Sequence, residues 1–194
     1  MDFWISIGST YSYLTVMRIE QAATDAGVAL RWRPFNVRDI MVSQNNIPFR
    51  DKPVKTAYMW RDMERRAMTH GLPISVPAPY PLTYLPLANQ VALVGLREGW
   101  GVDYITQTYK RWFVDGEPAG AEPNLSASLS ALGVDAPAAI AAAHSDEVVD
   151  LLAAQTQIAM DIGVFGSPSF VIGPEVFWGD DRLEDALAWA KTRA

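Results

Sequence analysis

The chain contains no cysteine among its 194 residues. Disulfides, cysteine nucleophiles and thiolate metal sites are thereby excluded. Histidine is nearly missing too. His70 and His144 stand far apart and in no metal-ligand spacing, so each reads as a solvated helix residue and no metal is expected. Apolar runs are short, none approaching the ~18 residues of a transmembrane helix. The opening Met1-Asp2-Phe3-Trp4 lacks the basic start of a secretory signal, and a cytoplasmic home is expected. Positive charge is outweighed, with a formal net charge of −6. That argues against general binding to nucleic acid or anionic membrane.

Hydrophobic residues make up 49% of the chain, enough for a full core in one domain or one domain with a large insertion. Phe3-Trp4-Ile5-Ser6-Ile7 reads as a strand. Gly8-Ser9-Thr10 then leads into a helix from Tyr13 to Ala26, stopped by Gly27. Ser9 or Thr10 is placed to cap that helix. Its free amides and dipole favour an anion beside them. Val28 to Arg33 alternates as a strand that Pro34 ends, completing a βαβ unit. Phe35 to Arg50, with Asn36, Asn45, Asn46 and Pro48, reads as an irregular binding loop.

Lys55 to His70 predicts a helix with Met59, Met63 and Ala67 on its apolar seam. Prolines keep Ile74 to Pro86 extended and out of any central sheet. Helical patterns then continue to Asp161, with Asn124 a possible cap and Asp135-Ala136-Pro137 opening an Ala-rich helix. Ser169 to Ile172 and Val176 to Trp178 form a hairpin through Gly173-Pro174-Glu175, and Arg182 to Thr192 closes the chain as a helix. The order is βαβ, a helical block, then ββα: an α/β fold with a large all-helical insertion.

Four stretches carry a resemblance to a known family. Ser9-Thr10-Tyr11-Ser12-Tyr13-Leu14 resembles the Ser-Pro-Tyr-Ser-Tyr-Leu start of 2-hydroxychromene-2-carboxylate isomerases and kappa-class glutathione transferases. Lys55 to Ala67 is similar to their first inserted helix. Gly163-Val164-Phe165-Gly166-Ser167-Pro168-Ser169-Phe170 resembles their cis-proline segment, and Trp178-Gly179-Asp180-Asp181-Arg182-Leu183 their turn into the last helix. The resemblance implies a thioredoxin-like domain from residues 1–52 and 162–194, interrupted by a helical insertion at 53–161.

The same resemblance implies a glutathione-dependent isomerase in which glutathione brings the sulfur that this chain lacks. Ser9, or Thr10 beside it, would be the catalytic hydroxyl. Asn46 (or Asn45), Ser167, Pro168, Asp180 and Asp181 would hold glutathione with Ser9. Tyr11, Asn36, Lys55 and Tyr58 would face the small-molecule substrate, and Asp62 and Arg65 also match family positions. A homodimer is implied by analogy. A kappa-like conjugating transferase and a non-catalytic glutathione-binding protein are the alternatives. The chain departs from the family at Thr10, where a proline is usual, and at Asn36 and Arg38, near a usual Leu-Gly.

Overall fold

The apolar run near the start becomes the centre of the sheet. In a computed structural model that describes residues 1–49 and 51–193, Phe3, Trp4 and Ile5 of strand β1 (Asp2–Ile5) are fully buried. Burial on both faces is what a strand without polar alternation requires. Strand β2 (Arg31–Pro34) lies parallel to β1, with Asp2 opposite Arg31 and Ile5 opposite Pro34. Strand β3 (Ser169–Ile172) runs antiparallel on its other side, and β4 (Glu175–Trp178) pairs antiparallel with β3. The sheet order is β2-β1-β3-β4. Pro34 thus sits on an edge strand, where a missing N–H is tolerated.

The expected first helix is two helices, α1 (Ser12–Val16) and α2 (Ile19–Ala26). The break falls at Arg18, whose φ of −125° leaves the helical region. Arg18 turns inward there, donating to Leu14 O and to Asp180 and Glu184. Gly27, left-handed, ends α2 as expected.

The segment after β2 corrects the expectation of an irregular loop. It holds helix α3 (Val37–Ser43), capped by Asn36, whose Oδ1 accepts from the Arg38 N–H at 3.2 Å. Its short length hides its periodicity in the sequence. Helix α4 (Pro53–Thr69) buries Met59, Met63 and Ala67 as the seam predicts.

Helices α5 (Leu85–Glu98), α6 (Gly101–Lys110), α7 (Asn124–Ser130), α8 (Ala136–Ala143), α9 (Asp146–Asp161) and α10 (Leu183–Lys191) complete the chain. Asp135 caps α8 through the Ala138 N–H. Asn124 does not cap α7. It is buried at the helix's first position, where its Nδ2 donates to Thr108 O and Glu117 O and its Oδ1 accepts from Thr108 and Ser128.

One continuous core joins the strands to the helical block: Phe3, Ile5 and Phe170 belong to the same cluster as Val91, Tyr104 and Leu152. On the sheet's other face, Trp4, Phe35 and Ile40 pack with Ala159 of α9 and with Val164. Helix α9 thus packs against the sheet. Each large side chain so buried stabilises the fold by roughly 1.5–3 kcal/mol. No described helix is long and apolar enough to cross a membrane.

Candidate functional site

The site grows from the carboxyl end of β1, where the chain must leave the sheet. Gly8 has φ +143° and stands so close to Leu85 that a Cβ would lie 2.2 Å from Leu85 Cδ1. Only glycine combines that backbone angle with that approach. Asn89 of α5 then binds the backbone just before it. It accepts from the Ile7 N–H at 2.9 Å and donates to Ile7 O at 3.1 Å and Leu85 O at 2.9 Å. The buried Tyr109 hydroxyl donates to Ser6 O and Ser9 O. The loop carrying Ser9 is held rigidly by the helical block.

Ser9 meets Ser167 across the sheet. The Ser167-Pro168 bond is cis. Ser167 Oγ accepts from the Ser6 N–H at 2.9 Å and lies 2.9 Å from Ser12 Oγ. The Ser9 hydroxyl donates to the Ser167 carbonyl at 2.5 Å. Residues 158 positions apart are joined at one point.

Beside this pair opens a cleft of about 270 Å³. Ser167, Pro168 and the Gly179-Asp180-Asp181 turn form one wall; Tyr11, Asp62 and Arg66 form the other, and Trp178 lines it as well. Gly166 has no Cβ because Trp178 Nε1 would lie 2.2 Å from it. That approach lets Trp178 lean over the cleft while 53% exposed.

Several expected site residues depart from their assigned places. Thr10 is buried and its hydroxyl donates to Met59 Sδ at 3.2 Å, so it neither caps α1 nor lines the cleft. The α1 N-cap is Tyr11, with no side-chain cap, so Ser9 does not cap it either. Asn36 is buried, spent on capping α3, and its N–H donates to Thr156 Oγ1. Asn45 and Asn46 are exposed and do not line the cleft; the Asn46 N–H closes the end of α3 on Met41 O. Lys55 lies outside the cleft with its Nζ 5.6 Å from the Phe49 ring, and Tyr58 is 61% exposed. Arg65 stands over the Tyr58 ring and pairs with Asp62 at 3.3 Å.

Asp180 lines the cleft, but its carboxylate is already engaged by the protein. Its carboxylate is buried and accepts from Thr15 Oγ1, from Arg18 Nη2 at 2.9 Å and from Arg66 Nε and Nη2 at 2.8 and 2.5 Å. It is a structural anchor between α1, α4 and the last turn. Asp181 keeps a half-exposed carboxylate at the cleft, paired with Arg182 at 2.8 Å.

Tyr11 donates its phenol to Asp62 Oδ2 at 2.9 Å. Burial, then that hydrogen bond and the Asp62 charge, push its pKa well above the usual 10.0. It is a neutral donor throughout the physiological range. Near Asp180, burial and the charge of Arg18 lower the pKa of His70.

Asn89, Tyr109 and Arg66 carry the site but drew little notice in the sequence. Asn89 had one usable signal, a polar residue inside the apolar window Leu85 to Gly95. A buried amide there must have backbone partners. Arg66 lies in a run of charges that looks like a solvated face, and only the fold brings it to Asp180.

With this geometry in view, comparison with known proteins gives the family. Residues 1–188 match the family described as DSBA-like thioredoxin domain, and the chain belongs to it. Its fold is thioredoxin-like with inserted helices. Among its relatives, the 2-hydroxychromene-2-carboxylate isomerase of Pseudomonas putida is 26% identical over 94% of this chain and 90% of that protein. Glutathione S-transferase kappa 1 of Caenorhabditis elegans is 24% identical over 94% of this chain and 87% of that protein. The solved structure of a 2-hydroxychromene-2-carboxylate isomerase superposes with a TM-score of 0.86 at 27% identity, covering 99% of this chain and 94% of that one. The resemblance read from the four motifs is thereby borne out, and the named relatives are enzymes.

Proposed function

We propose that the protein is a glutathione-dependent isomerase acting on an aromatic-ring-derived enone acid, similar to 2-hydroxychromene-2-carboxylate isomerase. The observation that carries this reading is the Ser9–Ser167 pair at the start of α1, beside a cleft, in a chain without cysteine. A hydroxyl donor beside a cleft suits an anionic sulfur brought from outside. When bound, glutathione supplies a thiolate whose reversible addition frees a double bond to rotate.

The chain's own residues position and polarise. Ser9 turns its hydroxyl to the sulfur and lowers the thiol's pKa. The Ser167 main chain pairs with the tripeptide's main chain as an added strand does. Asp181, with its half-exposed carboxylate, faces the ammonium. Tyr11, held neutral on Asp62, and Trp178 shape the cleft around the ligand.

Purified protein supplied with 2-hydroxychromene-2-carboxylate, with and without glutathione, tests the proposal. Turnover that depends on glutathione supports it. Equal turnover without any thiol overturns the mechanism. Thioether release from a chloronitrobenzene, with no isomerisation, identifies instead the transferase activity that the Caenorhabditis elegans relative favours.

A further inference from the structure

The cleft beside Ser9 is poorly suited to a substrate carboxylate. Asp62, Asp180 and Asp181 line it against one cation, Arg66, and Arg66 is already engaged by Asp180. An acid substrate therefore needs its positive partner elsewhere, and the structure offers one close by.

Arg38 stands in the first turn of α3, just past the carboxyl end of β2. It is half-buried, and among the described residues no carboxylate oxygen lies within 4 Å of it. Its Nη2 donates to Leu82 O at 3.1 Å, leaving further N–H groups of the fork for another acceptor. Its charge also reaches Tyr80, where it opposes the upward shift that burial gives the phenol.

Tyr80 is the centre of an aromatic trio. Phe49 and Trp60 each meet it edge-on with ring centroids 6.1 Å away. All three rings are partly exposed, and Lys55 stands over Phe49 at 5.6 Å. Two cations with no carboxylate partner among the described residues thus stand near partly exposed rings. Planar aromatic anions match that arrangement: rings pack on rings, and a carboxylate meets a guanidinium fork.

Chain neighbours of Trp60 and of Arg38 touch the loop that carries Ser9. Trp60 follows Met59, which accepts the Thr10 hydroxyl. Val37, the neighbour of Arg38, donates its N–H to Ser6 Oγ at 3.3 Å. Leu82, which Arg38 binds, is followed three residues on by Leu85, packed against Gly8. The Leu82–Leu85 segment, at most ~10 Å long, thus links Arg38 to the loop that carries Ser9.

We propose that Arg38 receives the carboxylate of the aromatic substrate while Phe49, Trp60 and Tyr80 hold its ring. The identity of the reaction rests on the isomerase reading above; the recognition of an aromatic carboxylate does not.

Two measurements separate these claims. In the turnover assay, Arg38→Gln raises KM for 2-hydroxychromene-2-carboxylate about 10- to 100-fold, the usual effect of losing a charged hydrogen bond. Its kcat falls far less, its affinity for glutathione is unchanged, and Arg38→Lys recovers part of the loss. The second measurement needs no turnover. Protein loaded with S-methylglutathione, whose blocked sulfur prevents addition, is titrated with benzylidenepyruvate and with benzylideneacetone, its analogue without a carboxylate. Wild type prefers the acid by at least about tenfold, and Arg38→Gln loses that preference. Equal affinity of wild type for the two probes overturns the proposal even if Arg38→Gln fails to fold. An unaltered preference in Arg38→Gln overturns it as well. Absence of isomerase turnover with the preference intact removes the isomerase reading and leaves Arg38 supported.

Discussion

The Ser9 hydroxyl donates to the Ser167 carbonyl at 2.5 Å, tying the end of β1 to the residue before the cis-proline. Each partner is a group that a bound peptide thiol would use, the hydroxyl for sulfur and the carbonyl for an amide N–H. Thr10, by contrast, spends its hydroxyl on Met59 in the core. Ser9→Ala is therefore expected to lower kcat about 10- to 100-fold, the loss of one hydrogen bond to a charged group. Thr10→Val is expected to keep activity within a few-fold of wild type. Steady-state kinetics of the two variants check this, and a larger loss in Thr10→Val reverses the assignment.

Asp180 and Asp181 are adjacent but separable. Asp180 is buried against Arg18 and Arg66, so Asp180→Ala strands the partly buried Arg66 and leaves Arg18 with Glu184 as its one carboxylate. A loss of about 3–5 kcal/mol is expected in denaturant unfolding. Asp181 is half-exposed and paired on the surface with Arg182. Asp181→Asn is expected to change stability by less than about 1 kcal/mol while weakening glutathione binding in a calorimetric titration.

Asn89→Leu removes the partners of the Ile7 N–H and carbonyl inside the core. Each stranded group costs about 1–3 kcal/mol. The Ser9 loop is expected to loosen at the same time. Chemical denaturation should report the stability loss, and hydrogen exchange should show faster opening at Ile7 than in wild type.

The pH dependence has two distinct parts. The folded pKa of His70 lies below its usual 6.5 because of burial and Arg18. The unfolded chain thus binds the proton more readily, and stability falls as pH drops through 6.5 toward the folded value. His70→Gln should flatten that slope in unfolding curves. Tyr11 is shifted the other way, above 10.0. Its contribution is complete below pH 10 and lost above it, so Tyr11→Phe should leave the shape of the activity profile between pH 6 and 9 unchanged.

Much of this fold could be read from patterns with a single cause. β1, the α4 seam at Met59, Met63 and Ala67, and the terminal hairpin each follow from local apolar spacing; the seam and the hairpin stand where that spacing put them, and β1 ends at Ile5, two residues before the expected Ile7. The corrections arose where long-range partners decide. The first helix breaks at Arg18, whose side chain pairs with Asp180, far along the chain. Asn36 looked like a binding-loop residue but caps a helix too short to show a period. At Asp180 the sequence shows an acidic turn but not the arginines that close over its carboxylate. Ser9, Ser167 and Pro168 were legible through their motifs, whereas Asn89 and Tyr109, which hold that loop, act only through the folded chain.

In the proposed reaction the sulfur of bound glutathione lies beside Ser9. Glutathione bound to the wild-type protein can be titrated by the ultraviolet absorbance of its thiolate. A pKa at least about one unit below the ~8.5 of an ordinary thiol is predicted. A bound thiol that titrates as free glutathione does, or no binding at all, would contradict the account.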